Sequence, residues 1–222
     1  MSETNAPAPT SNSTSISATT YSKYNIDNRI LVKNKSELLL QPRMVFVNDF
    51  TESSAKKFSE EMHMAEDTGQ EIIPIYIDSF GGYCDALTNM FDVINSCSAK
   101  IATIAVGKAM SCGALLLSYG AEGYRYMGPN SRIMIHEVAS GAHGKVSAIK
   151  ADAEESMRLN KMLMKTMSNN TGHEDDYYWN IIHEKSHADW YLTAQEAKKH
   201  NLINHIKFPR FDVTVDVKIK FG

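Results

Sequence analysis

No run of this sequence is apolar for long enough to span a bilayer. Nor does any cluster of Lys and Arg stand out, and the net charge is -3, so nothing supplies the electrostatic footprint of a nucleic-acid binder. The first residues, Met1 to Thr20, lack both the basic n-region and the apolar h-region of a secretory signal. Cysteine is scarce: Cys84, Cys97 and Cys112 follow no metal-ligand spacing, and three thiols cannot all pair within one chain. Reduced thiols in a cytoplasm are the simplest expectation. Large apolar residues are almost absent from Met1 to Thr20, which is rich in Ser, Thr, Asn, Pro and Ala. Such a segment buries too little surface to offset its ordering entropy, so a disordered arm is expected there.

The remainder is ordinary for one globular domain with a sizeable core. Residues 21–34 are mixed and irregular, and a short helix is expected at Lys35 to Leu40. Met44 to Val47 reads as a buried strand, and Ser53 to Asp67 as an amphipathic helix with Ala55, Phe58, Met62 and Ala65 on one face. Ile72 to Ile77 is a second strand, running into Asp78-Ser79-Phe80-Gly81-Gly82. The helix Cys84 to Cys97 carries Leu87, Met90, Phe91 and Ile94 at helical spacing. Strand Ile101 to Val106 then meets a glycine turn at Gly107, Ser111, and a small-residue helix from Cys112 to Ser118. Gly123 to Met127 and Arg132 to Ile135 are further strands, the second ending at His136. This alternation predicts an α/β fold with mainly parallel strands.

Gly144 to Asn170 reads as a long methionine-rich helix, stopped by Asn169-Asn170-Thr171-Gly172. Its methionines suit an intrachain core or a subunit interface equally. A short helix follows over Glu174 to His183, and another over Ala194 to His200 with Thr193 as its N-cap. Residues 207–222 alternate apolar and polar through Val213, Val215, Val217 and Ile219, as a terminal strand does.

Acyl transfer at a serine needs a nucleophile, an imidazole base, a carboxylate to fix the imidazole tautomer, and N–H donors for the oxyanion. Candidates for each stand at strand ends. Ser111 follows a strand and opens a helix, where a developing negative charge is favoured. His136 closes an apolar strand, and Asp189 precedes Tyr191-Leu192. Gly82 and Cys112 are placed to offer backbone N–H groups. Each has a bland alternative: Ser111 as an N-cap, His136 as a surface or hydrogen-bonded histidine like any of the seven others, Asp189 as a helix-flanking acid, Gly81-Gly82 as a turn.

Four separated motifs occur in one order: Ser79 to Gly82, Gly107 to Ala114, Pro129 to His136, and Asp189 to Ala194 with Glu196-Ala197 and Leu202-Ile203. Together, over about Lys35 to Ile206, they resemble the proteolytic subunits of ATP-dependent Clp proteases, the ClpP/crotonase superfold. The resemblance implies an α/β core of repeated strand-strand-helix units with a protruding handle helix over Gly144 to Gly172. It implies a serine endopeptidase with Ser111 as nucleophile, His136 as general base and Asp189 as orienting carboxylate, with Gly82 and Cys112 as oxyanion donors. No cofactor and no metal are expected.

The resemblance also implies heptameric rings stacked as a tetradecamer, fed with unfolded polypeptide by an AAA+ unfoldase of the Clp type, with no nucleic acid or membrane partner. The segment Ala139 to Gly144 matches the place where such proteins hold peptide as an added strand, and an axial gate falls near Tyr21 to Lys33. The chain differs from the usual pattern at Phe80 (in place of Pro), Cys112 (Met), Glu137-Val138 (Gln-Pro) and His187-Ala188 (an acid–arginine pair that links ring contacts to the site). A phage origin in a host cytoplasm fits this divergence. Three other readings of the same fold are a phage head-maturation protease that trims capsid or scaffold proteins, a non-catalytic ring subunit, and a crotonase-like acyl-CoA enzyme.

Overall fold

The computed structural model describes residues 42–185 and 188–210. The expected arm, gate segment, short helix at Lys35 to Leu40, terminal strand and His187 lie outside the described residues. The chain order is β1 (Val45–Val47), α1 (Glu52–Glu66), β2 (Ile72–Ser79), α2 (Cys84–Ser96), β3 (Lys100–Met110), α3 (Cys112–Ser118), β4 (Arg125–Met127), β5 (Arg132–Ile135), α4 (Val146–Asn170), α5 (Tyr177–Glu184), β6 (Trp190–Leu192) and α6 (Ala194–Lys199). Strand and helix alternate as expected of an α/β fold, with two strands in succession at β4 and β5.

Among the described residues, six strands form one sheet in the order β1-β2-β3-β5-β6, with β4 also paired to β3. All pairings are parallel except β5 with β6. Successive side chains of a strand point to opposite faces. Ile73, Pro74 and Ile75 of β2 and Ile101 to Ala105 of β3 are buried without a break, so both faces of the sheet centre are covered. This is why these strands read as continuous apolar runs rather than alternating ones.

Helix α1 starts one residue before the expected position because Thr51 and Ser54 form a reciprocal capping box. It buries Ala55, Phe58, Met62 and Ala65, the face expected from their spacing. Burying Phe58 and Met62 contributes about 1.5–3 kcal/mol each. Helix α6 is capped the same way by Thr193 with Glu196.

The largest departure from expectation is in β3. Gly107 does not turn the chain out of the strand; β3 continues to Met110. Opposite β2, Ile77 pairs Ala105 and Ser79 pairs Ala109, so two steps on one strand span four on the other. This is a bulge, made possible by Gly107 at φ +70. Its N–H donates to the Ser131 hydroxyl at 3.0 Å rather than to the ladder. Before the bulge β3 pairs β4; after it β3 pairs β5. The bulge thus carries the strand end across to the strand that bears His136.

Helix α4 is divided in character. Residues 146–155 are exposed throughout, with Val146 at 84%. Further on, Asn160, Leu163, Met164, Met167 and Ser168 are buried in the core. The second half is core, and the first half protrudes as the handle helix was expected to.

Arg125 ties the far ends of these elements together. Its side chain is fully buried and donates to Gly120 O, Asn170 O and Asn201 O, each at 3.1 Å, and to Glu122 at 2.7 Å. Asn170 closes α4, so one guanidinium satisfies a carbonyl that the helix itself leaves orphaned. Arg125→Met leaves three carbonyls, one buried and two partly buried, without that donor. We expect it to lower the urea unfolding free energy by about 3–5 kcal/mol.

Candidate active site

Ser111 stands between β3 and α3. Its backbone lies at φ 54, ψ -121, a left-handed conformation rare for any residue but glycine. Holding it costs about 1–3 kcal/mol, which the surroundings must offset. Three bonds fix it: its N–H donates to Met134 O at 2.8 Å, and its carbonyl accepts from Ala114 N at 2.9 Å and Leu115 N at 3.2 Å. The residue occupies the N-cap position of α3, yet its hydroxyl makes no capping bond. The hydroxyl lies by the Cys112 sulfur instead. All seven residues of α3 are buried, so the strained turn sits on a fixed base.

Gly81 and Gly82 follow β2 and press against this turn. A Cβ on Gly81 would lie 2.7 Å from Ser111 Cβ and 3.1 Å from Ser111 Oγ, and its φ is +106. A Cβ on Gly82 would lie 2.4 Å from Phe50 O. Only glycine allows both approaches. Gly82 bridges Phe50 in parallel, and that contact is made through the next N–H, Tyr83 to Phe50 O at 2.8 Å. The Gly82 N–H is not consumed there. Cys112, as the first residue of α3, has no intrahelical acceptor for its own N–H. Gly82 O accepts from Cys112 Sγ at 3.3 Å, which holds the two donor-bearing segments side by side.

Ser79, Ser111 and His136 all lie at or just past the C-terminal ends of parallel strands, where α/β sheets place their sites. Strand β6 runs the other way, so its N-terminal end reaches the same edge. Ile135 pairs Trp190, and the next step of that register sets His136 opposite Asp189. Trp190 anchors this end: its ring meets the His200 ring edge-on at 4.7 Å and packs against Tyr178.

Gly82, Ser111, Cys112 and His136 line one cavity of about 90 Å³, walled by apolar groups that include Leu115 and Met164. Asp189 is exposed and outside that lining. Among the described residues, no hydrogen bond joins Ser111 to His136 or His136 to Asp189. Asn160 of α4 grips the chain just beyond His136: it accepts from Val138 N at 3.1 Å and donates to Glu137 at 3.2 Å. A larger hollow of about 430 Å³ lies where β2 and β3 begin, away from this chemistry. Among the described residues no group of three His, Cys, Asp or Glu side chains is placed to hold a metal ion.

A model of the Clp protease family matches residues 28–210, which is most of the chain. The chain belongs to the Clp protease family. It is a ClpP-like peptidase with the α/β fold of that family. No described helix is long and apolar enough to cross a membrane.

Three residues around Ser111 have roles that a motif reading does not assign. Gly81 sets the distance to Ser111, Asn160 holds the segment after His136, and Cys84 joins the cavity wall. A Gly-Gly pair after a strand is a signal for the first. The other two depend on how remote segments pack.

Proposed function

We propose that this Clp protease family member is a serine endopeptidase in which Ser111, His136 and Asp189 act together. Ser111 Oγ attacks the scissile carbonyl. His136 takes the serine proton and delivers it to the leaving amine. Asp189 orients the imidazole and stabilises its charged form. The N–H groups of Gly82 and Cys112 receive the oxyanion, donors that need no reorganisation as charge develops. Water then repeats the cycle on the acyl-enzyme.

The observation that carries this reading is the strained Ser111 turn. A residue held at φ 54 without a capping bond is held for something other than helix stability. Ser111 lines the same cavity as His136. A hollow of about 90 Å³ admits a side chain of an extended substrate, not a folded domain.

Family membership implies ring assembly and peptide substrates. The proposed working form is a stack of heptameric rings, supplied with unfolded chains by an AAA+ unfoldase of the Clp type in a reducing cytoplasm. The β5–β6 register ends at Ile135 and Trp190, one step short of His136 and Asp189, and among the described residues no hydrogen bond joins these two. Closing that gap is the step assigned to assembly. The test is peptidase activity measured across a size-exclusion profile with in-line light scattering, with and without the unfoldase and ATP. Activity on short peptides should follow the ring-sized particle, and activity on folded substrates should require ATP. Full activity in the monomer fractions overturns the assembly step.

A further inference from the structure

Cys84 and Cys112 are the first residues of α2 and α3, two helices that begin at the same cavity. Cys84 is half-buried and Cys112 is buried, and neither is in a disulfide. The Cys112 thiol donates to Gly82 O at 3.3 Å and also interacts with the Cys84 side chain, and both residues line the same cavity. That thiol stabilises the Cys84 thiolate, drawing the Cys84 group down to about 7 against burial and the nearby Asp85. The start of the thirteen-residue α2 adds a positive dipole end. Cys112 is pushed the other way, first by the Cys84 sulfur and then by burial. One sulfur is therefore suited to react, and its neighbour to remain a thiol until called on. Cys97, the remaining cysteine, does not line the Ser111 cavity.

We propose that Cys84 is a site of peroxide oxidation and Cys112 its resolving thiol, forming a reversible Cys84–Cys112 disulfide in the wall of the Ser111 cavity. The Cys84 thiolate attacks one oxygen of hydrogen peroxide; the O–O bond breaks, and Cys84 becomes a sulfenic acid as hydroxide leaves and is protonated to water. The Cys112 sulfur then attacks the Cys84 sulfur, the S–O bond breaks, and the thiol proton leaves with the hydroxyl as a second water. Overall, two thiols are oxidised by two electrons and one hydrogen peroxide is reduced to two waters. A dithiol reductant reverses the bond by exchange.

The link pulls Cys112 away from Gly82 O and re-aims the N–H that the proposed function assigns to the oxyanion. For its effect on activity the inference rests on that assignment; for its chemistry it does not. The full-length protein is treated with hydrogen peroxide, and its peptides are mapped without reduction. In parallel, the rate of Ser111 labelling by a fluorophosphonate is followed. The expected result is a Cys84–Cys112 linked peptide and a fall of about tenfold or more in labelling rate. Dithiothreitol should reverse both, Cys84→Ser should abolish both, and Cys97→Ser should preserve both.

Free thiols at both positions, or Cys84 carried to sulfinic acid with no linked peptide, overturn the pairing. A linked peptide with unchanged Ser111 labelling overturns its control of the site. If the reduced protein does not label at Ser111 at all, the serine reading fails, while the peptide map still decides the pair.

Discussion

Ser111→Ala is expected to lower peptidase kcat by on the order of 10⁴-fold or more, with residual rate left to the oxyanion donors and substrate binding. The loss should fall on kcat rather than KM, because the hydroxyl does its work in the transition state. Stability separates this outcome from the capping alternative. A serine that caps α3 through its side chain would cost about 1 kcal/mol on replacement by alanine. Ser111 makes no such bond, so its replacement should leave the unfolding free energy within about 0.5 kcal/mol of the parent. Alanine meets the same φ 54 penalty as serine, so backbone strain does not confound the comparison. Steady-state kinetics and urea unfolding on the same preparations check both halves.

The second large effect belongs to a residue with no chemistry of its own. In Gly81→Ala the new methyl group would lie 2.7 Å from Ser111 Cβ and 3.1 Å from Met110 O, at φ +106. Either the glycine loop or the serine turn must move. Misplacing a reacting group by about 1 Å costs about 100-fold in rate, and that is the expected fall in kcat/KM. The strained conformation adds about 1–3 kcal/mol of destabilisation. Gly123→Ala provides the control: Gly123 is at φ +84, but a Cβ there meets nothing within 4 Å. It should show backbone strain in urea unfolding and unchanged kcat/KM. Parent-like kcat/KM for Gly81→Ala would mean that its approach to Ser111 plays no part in catalysis.

These two residues also mark how far the sequence can be read. The serine was visible because a β-branched run, a glycine and a small-residue helix are all local signals. His136 was visible as the end of an apolar strand, and Thr193 as a cap because its Glu196 partner lies three residues on. The methionine pattern of α4 left core and interface open; Met164 and Met167 are buried in the core, while Met157 and Val146 are exposed.

What was hidden depends on register between segments far apart in the chain. Gly107 looked like a turn because glycine after a strand usually is one; only pairing with both β2 and β5 makes it a bulge. That Asp189 reaches the sheet edge where His136 lies follows from the antiparallel step at β6, which no local pattern encodes. Nothing local in the short strand β4 marks Arg125 as buried. Its burial is set by three carbonyls from the turn before β4, the end of α4 and the end of α6. The contact of Gly81 with Ser111 joins loops after different strands, and packing alone reveals it.

The central claim is that Ser111 is the nucleophile, and peptide mapping after reaction with a fluorophosphonate tests it most directly. The assembled, reduced protein should carry one adduct, on the peptide that contains Ser111. That adduct should vanish in Ser111→Ala, after denaturation, and be slowed in His136→Ala. No adduct on the active assembled particle, or an adduct on another residue that survives Ser111→Ala, would contradict the account.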